Sequence, residues 1–206
     1  VSSVNGLAAN LLYDDGAIVY INGVEAARVN LPDGPVTSNT SALSASLEGV
    51  YEALNLEDAI GFLQNGENTI AVEVHQADAA SSDISFDTDL ISTNTDGMEA
   101  TLVARHALWI YDDTGVDRGP SDQDPDLAWF GPQFDDSNWD AGPAELGYGD
   151  SDGTTRFPTT VSFGPQIDNK FITTYFRRQF EIDAETIASL ESLTLTLRRD
   201  DGAIVY

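Results

Sequence analysis

Apolar and polar residues alternate along most of this chain in short runs, and each run closes on a turn signal. In AIVYINGVEAARV (17–29) two apolar arms flank Asn22-Gly23, a pair suited to the positive φ angles of a type I′ turn, so a β-hairpin is predicted. In NGENTIAVEVHQ (65–76) Ile70, Val72 and Val74 share one face, and Ala71, Glu73 and His75 the other. DISFDTDLI (83–91) sets Ile84, Phe86 and Leu90 against Ser85 and Asp87. ITTYFRRQFEI (172–182) gathers Ile172, Phe176, Phe180 and Ile182, and SLTLTLRR (192–199) alternates Leu193, Leu195 and Leu197 with threonines. A period of two with one apolar face predicts antiparallel sheets packed on one side. Helical signals amount to a turn or two within 54–63 and 183–190. The predicted class is all-β, an antiparallel β-sandwich.

Charge changes the picture more than size does. A chain of 206 residues with 41% hydrophobic positions can bury a real core. Its 35 acidic and 9 basic residues give a net charge of −26, and Lys170 is the only lysine. Such a surface repels phosphate backbones, so nucleic acid and anionic membranes are excluded as expected partners. It stays soluble in salty media and attracts divalent cations, and a secreted or cell-surface location is expected. The absence of cysteine removes disulfides and thiol chemistry. No apolar run reaches the roughly 18–20 residues of a membrane span. With Val1 in first place, either a processed product or a window on something longer is expected.

The chain also repeats itself. DDGAIVY occupies 14–20 and again 200–206, an offset of 186 residues. Carried backwards, the alignment matches Ser3 with Ser189, Leu7 with Leu193 and Leu11 with Leu197, so ten of twenty positions are identical. One period of a domain-sized repeat, plus about one hairpin arm, is implied. Two segments then compete for one strand position, and the loser is a free edge strand suited to joining a neighbour.

TTYFRRQFEI, then SLTLTLRRDDGAIVYINGVEAARV, then NGENTIAVEVHQ resembles the galactose-binding-like (jelly-roll) β-sandwich of large secreted bacterial proteins and glycoside hydrolases, and FDDSNW (134–139) with ELGYGD (145–150) resembles its entry segment. In such a module the FDDSNW segment comes first and VEVHQ…ISFDTDL last; here the order is inverted. The resemblance implies that 1–91 is the C-terminal half of one copy and 107–206 the N-terminal half of the next, with 92–106 as junction. Two half-domains in permuted order expose edges unless they pair within the chain, between chains head to tail, or along a tandem array. Assembly with copies of itself is the expectation. A structural calcium is common in modules of this kind.

Candidate chemistry is sparse. His75 and His106 are the only histidines, and no GxSxG, HExxH, P-loop or GxGxxG arrangement occurs. His75 lies near Glu73, and would lie near Asp87 or Asp89 if the strands at 65–76 and 83–91 pair. No catalytic residue is assigned, and the chain is read as not an enzyme. Calcium has better candidates: Asp122, Asp124 and Asp126 alternate in SDQDPD, and Asp150 and Asp152 precede a glycine in DSDG. Aspartate as a turn former explains the same residues, as it does DDTGVD at 112–117. For glycans, Trp129 in DLAWFGP and Tyr148 are the candidate platforms, whereas Trp109 and Trp139 read as core anchors. Arg177 and Arg178 point to opposite faces, and at least one should meet a carboxylate. The assembly strands are Ala17, Ile18, Val19 and Tyr20, with their duplicates Ala203, Ile204, Val205 and Tyr206. The function predicted is a non-catalytic extracellular structural or adhesive repeat assembling in series; the alternative is a carbohydrate-binding module attached to a secreted hydrolase.

Overall fold

The structure is a computed structural model and describes residues 12–13, 15–45, 50–119, 127–149 and 157–199. It is an all-β sandwich of two antiparallel-rich sheets. One sheet has six strands in the order β3 (Val24–Val29), β2 (Gly16–Ile21), β5 (Gly66–His75), β12 (Thr173–Ile182), β8 (Leu108–Asp112), β9 (Asp140–Pro143). The other has seven: β11 (Thr159–Thr160), β10 (Leu146–Tyr148), β6 (Ile84–Asn94), β1 (Leu12–Tyr13), β13 (Leu190–Arg199) and β4 (Val50–Asn55) in order, with β7 (Glu99–Val103) added to β6.

The hairpin at Asn22-Gly23 forms as the turn chemistry requires, with φ of 49° and 82° at the two residues. Both sheets combine strands from the two parts of the chain: β3, β2 and β5 sit beside β12, β8 and β9 in one, and β6, β1 and β4 share the other with β10, β11 and β13. β12 pairs with β5 over its whole length, from Thr173 opposite His75 to Ile182 opposite Gly66. β13 runs along β6 from Leu190 opposite Asn94 to Arg198 opposite Asp87. Residues 92–106, read above as a junction, carry the end of β6 and all of β7, folded back as a pair within the sheet. The helical signals resolve into a 3-10 helix, Glu57–Phe62, and one short helix, α1 (Ala184–Ser189), whose first turn is capped by the Asp183 carboxylate accepting the Thr186 N–H.

Between the sheets lies the main core. Phe86 of β6 stacks on Phe176 of β12 at 4.0 Å and meets Trp109 of β8 edge-on at 4.8 Å, so three rings join the two layers. The expectation that only one sheet face is packed is corrected by the six-stranded sheet. A second cluster of Ile18, Tyr20, Ala71, Trp129 and Tyr175, with Leu31, Val36 and Ala42, covers its outer face. Loops 30–43 and 127–139 supply that cover.

Burial of carboxylates ties stability to pH. Burial pushes the Asp87 carboxyl above the ordinary aspartate range, against the opposing pull of the His106 N–H and imidazole, the Tyr51 hydroxyl and the Thr88 N–H; burial likewise raises Asp113. A raised folded-state pKa gives stability that is full below the unfolded value and lost as pH rises through the folded one. The net charge of −26 works in the same direction through self-repulsion. The melting temperature should therefore climb as pH falls through the raised range of Asp87 and Asp113 toward the ordinary carboxylate range of about 4. Below that range the gain should reverse, because the helix-capping Asp183 and the turn-forming Asp135, both held low, become protonated. Calorimetry across pH in low salt checks this, and a melting temperature that falls as pH is lowered toward about 4 contradicts it.

Candidate functional site

The most site-like concavity lies on the outer face of the six-stranded sheet, a cleft of about 670 Å³ over β2, β3 and β5. Tyr20, Trp129 and Phe130 form its aromatic wall, Leu31 and Val36 its apolar side, and Glu25, Arg28, Asp33 and Glu73 its polar positions. Alternation on β2 explains Tyr20: Ala17 and Val19 face the main core, so Ile18 and Tyr20 must face outward. Tyr20 stacks on Phe130 at 4.3 Å, and Trp129 meets Tyr20 edge-on at 5.6 Å and Tyr175 at 4.7 Å. Arg28 spends its donors on a bidentate pair with Glu25, at 2.9 and 2.8 Å, and on the Pro32 carbonyl. The remaining side-chain polar groups are mostly acceptors, so a ligand here would bring donors.

Under the cleft runs a closed polar chain. The Tyr20 hydroxyl donates to Glu73 Oε1 at 2.6 Å, and His75 Nε2 lies 3.0 Å from Glu73 Oε2. His75 Nδ1 reaches the Thr40 carbonyl at 2.7 Å and Thr173 Oγ1 at 2.9 Å, while Thr173 donates to the Ser38 carbonyl. Burial first, then the adjacent Glu73 carboxylate, pushes the Tyr20 hydroxyl far above the ordinary phenol range, so it stays a donor. Each member of this chain lies within hydrogen-bond distance of the next, which suits a strut pinning loop 37–40 to β5 and β12. Tyr20→Phe should cost about 2 kcal/mol, because Glu73 Oε1 loses its donor in a buried place. Chemical denaturation measures the loss, and a change below about 0.5 kcal/mol would show that water replaces the hydroxyl.

No protein-family model, no curated protein and no solved structure matches the chain.

The sequence-read candidates fall in different places. Trp129 lines the cleft but is only 3% exposed, its ring spent on Tyr20, Tyr175 and Trp139. Tyr148 lies elsewhere, buried in the main core, where its hydroxyl accepts from Gln76 Nε2 at 2.6 Å and its ring meets Phe163. The structure therefore does not bring Trp129 and Tyr148 together. Trp109 is a core anchor with no exposure; Trp139 is half-buried against Phe134 and Trp129. His75 is not near Asp87 or Asp89, because β5 and β6 belong to different sheets; its partner is Glu73. His106 is the histidine beside Asp87, its Nδ1 3.3 Å from Oδ2. Of the adjacent arginines, Arg177 meets Asp136 at 2.8 Å, and Arg178 donates to the Leu108 carbonyl.

Asp122, Asp124, Asp126, Asp150 and Asp152 lie outside the described residues, as do Ala203, Ile204, Val205 and Tyr206. In DDTGVD the carboxylates serve the turn. Asp112 accepts from Thr114 and Arg118, Asp113 from the Ser162 N–H, and Asp117 from the N–H groups of Ser38 and Gly119. Among the described residues no group of three or more acidic or histidine side chains is placed to hold a metal.

Sequence reasoning missed the cleft as a site. Its walls come from β2, β3 and two loops, and only the outward Tyr20 in GAIVYI hinted at an aromatic on that face.

Proposed function

We propose that this chain is a non-catalytic structural or adhesive unit of an extracellular assembly, joined to further copies in series, with a permuted jelly-roll, galactose-binding-like sandwich as its module. The observation that carries this reading is the meeting of the two repeat copies on one residue. Leu12 of β1 and Arg198 of β13 both pair with Asp87, and the offset of 186 makes Leu12 and Arg198 equivalent positions. β1 and β13 lie side by side there, Leu12 opposite Arg198, so both ends of the repeat reach one place in the seven-stranded sheet, and the sequence carries DDGAIVY twice. A second copy of a strand sequence is what head-to-tail joining by strand exchange needs. Electron micrographs of the native material should show linear strings of units roughly 40 Å across. Isolated globules of that size in every field would refute the reading.

Calcium belongs to the same proposal, held by the acidic stretches SDQDPD at 121–126 and DSDG at 150–153. Added calcium should raise the melting temperature and a chelator should reverse it, by about 2.7 kcal/mol at a concentration one hundred times the dissociation constant. Magnesium at equal ionic strength is the control for screening. Equal effects of the two ions would assign the gain to the net charge of −26 instead.

The cleft favours a second reading, a carbohydrate-binding module serving a hydrolase. Its volume falls in the range of small-ligand sites, and its acceptor-rich wall suits a hydroxyl-rich ligand. Against it, the buried Trp129 offers no open ring face. A glycan array discriminates: binding that is lost on truncating Asp33 supports the module, and silence across the array supports the structural unit.

A further inference from the structure

We propose that the cleft over β2, β3 and β5 binds an organic cation: a protonated amine carried on a body about the size of one or two sugar rings. This rests on the site of the second reading above, not on serial joining, and it names the chemistry that the site selects.

The charged lining is lopsided. Glu25, Asp33 and Glu73 share the cleft with one cationic group, Arg28. Glu25 and Arg28 neutralise one another through their bidentate pair, which leaves Asp33 and Glu73 in excess. The two excess carboxylates have different tasks. Glu73 lies buried in the floor, with one oxygen against the Tyr20 hydroxyl and the other against His75 Nε2. Salt screens a buried carboxylate poorly, so its field reaches into the cleft although its oxygens are engaged. Asp33 is exposed at the rim, and its carboxylate accepts no hydrogen bond and forms no ion pair among the described residues. It is the group left to receive a donor directly.

The apolar lining fits the same ligand. Phe130 stacks on Tyr20 at 4.3 Å and is the half-buried member of a wall whose other rings, Tyr20 and Trp129, are buried. Phe130 therefore carries most of the open ring surface that the wall offers. An aromatic face is electrostatically negative and attracts an ammonium group. Leu31, Pro35 and Val36 are placed to receive the carbon body of the ligand. A volume of about 670 Å³ is far more than a single basic side chain fills, and it lies within the range of small-molecule sites. An anionic ligand meets the reverse of what it needs, because Glu25 already matches the one guanidinium. The net charge of −26 draws cations to the whole surface, and the cleft adds shape and an aromatic face to that attraction.

Titration calorimetry on the full chain in about 0.15 M salt tests this, with the glucosamine dimer, its N-acetylated form, cellobiose and cyclohexylammonium as probes. The expected result is one site per chain for the glucosamine dimer, bound about tenfold or more tightly than the N-acetylated and neutral dimers, the usual worth of a hydrogen bond to a charged group. Asp33→Asn, a change at an exposed position, should remove about that factor for the amine and leave the neutral dimers unaffected. Phe130→Leu should weaken the amine by about two- to fivefold. Equal binding of the three dimers overturns the proposal and leaves the carbohydrate reading standing. Silence from every probe overturns the proposal, and with it the case for a sugar in this cleft. Cyclohexylammonium bound as tightly as the glucosamine dimer upholds the cation and contradicts a site shaped for sugar. Many weak sites that vanish with added salt and ignore Asp33→Asn amount to general attraction by an acidic surface, which overturns the proposal.

Discussion

Trp109→Ala should lower stability by about 3–5 kcal/mol, the range for emptying a fully buried aromatic site. In a chain of this length that corresponds to a fall in melting temperature of roughly 6–20 °C. Trp109 has no exposed surface, and its ring meets the edge of Phe86, which in turn stacks on Phe176. Because those rings come from both sheets, the cavity would open between the layers and not at one rim. The indole N–H adds a discriminating control, since it has no hydrogen-bond partner among the described residues. Trp109→Phe removes that unmatched donor along with part of the volume, so it should cost much less, under about 2 kcal/mol. Thermal and chemical unfolding of the two variants measures the contrast. Similar losses in both would mean that the site tolerates no reduction in size, and that the three-ring joint is not the hinge of the packing.

Arg177→Ala should be the next most damaging change, at about 3 kcal/mol, near the low end for breaking a buried ion pair. The guanidinium is 2% exposed; its Nε donates to Asp136 at 2.8 Å, and its Nη1 to the carbonyls of Trp129 and Gly131. Burial pulls the Arg177 pKa down and Asp136 pushes it back up. Asp136 is a quarter exposed, so water can reach it once the arginine is gone, which keeps the cost below that of a fully enclosed pair. The loss falls locally on the loop that covers the outer face. Limited proteolysis should therefore cut first within 129–139 in the variant, and the cleft wall made by Trp129 and Phe130 should loosen with it. Arg177→Lys keeps a charge but not the planar fork, and should recover less than half of the loss. Global unfolding with no preferred cut in that loop would contradict the local account.

Much of the strand layout was legible, and the reasons are specific. Asn22-Gly23 announces its hairpin because few other pairs adopt two positive φ angles. The alternation at 65–76, 83–91, 172–182 and 192–199 predicts β5, β6, β12 and β13 because a period of two has few competing explanations. What alternation cannot say is what lies over the second face. Glu73 and His75 looked solvated, yet they are 3% and 0% exposed, because Leu31, Val36, Ala42 and Trp129 arrive from loops with no period to betray them. The same gap hid the cleft. It also misdirected His75 toward Asp87: chain order suggests that neighbouring strands pair, but residues 76–83 carry the chain from one sheet to the other. The repeat was legible at once, whereas the convergence of its two copies on Asp87 needed the register.

The most direct test of serial joining is the mass of the native material, measured twice on one sample: by light scattering in native buffer and by mass spectrometry after denaturation. The account predicts a native particle several times the 22.1 kDa of one unit, with copies linked either by peptide bonds or by the exchanged strand. A denatured mass that is also several-fold larger assigns the joints to the polypeptide, and a denatured mass of one unit assigns them to strand exchange. A value near 22.1 kDa in both measurements, unchanged with concentration, would contradict the account.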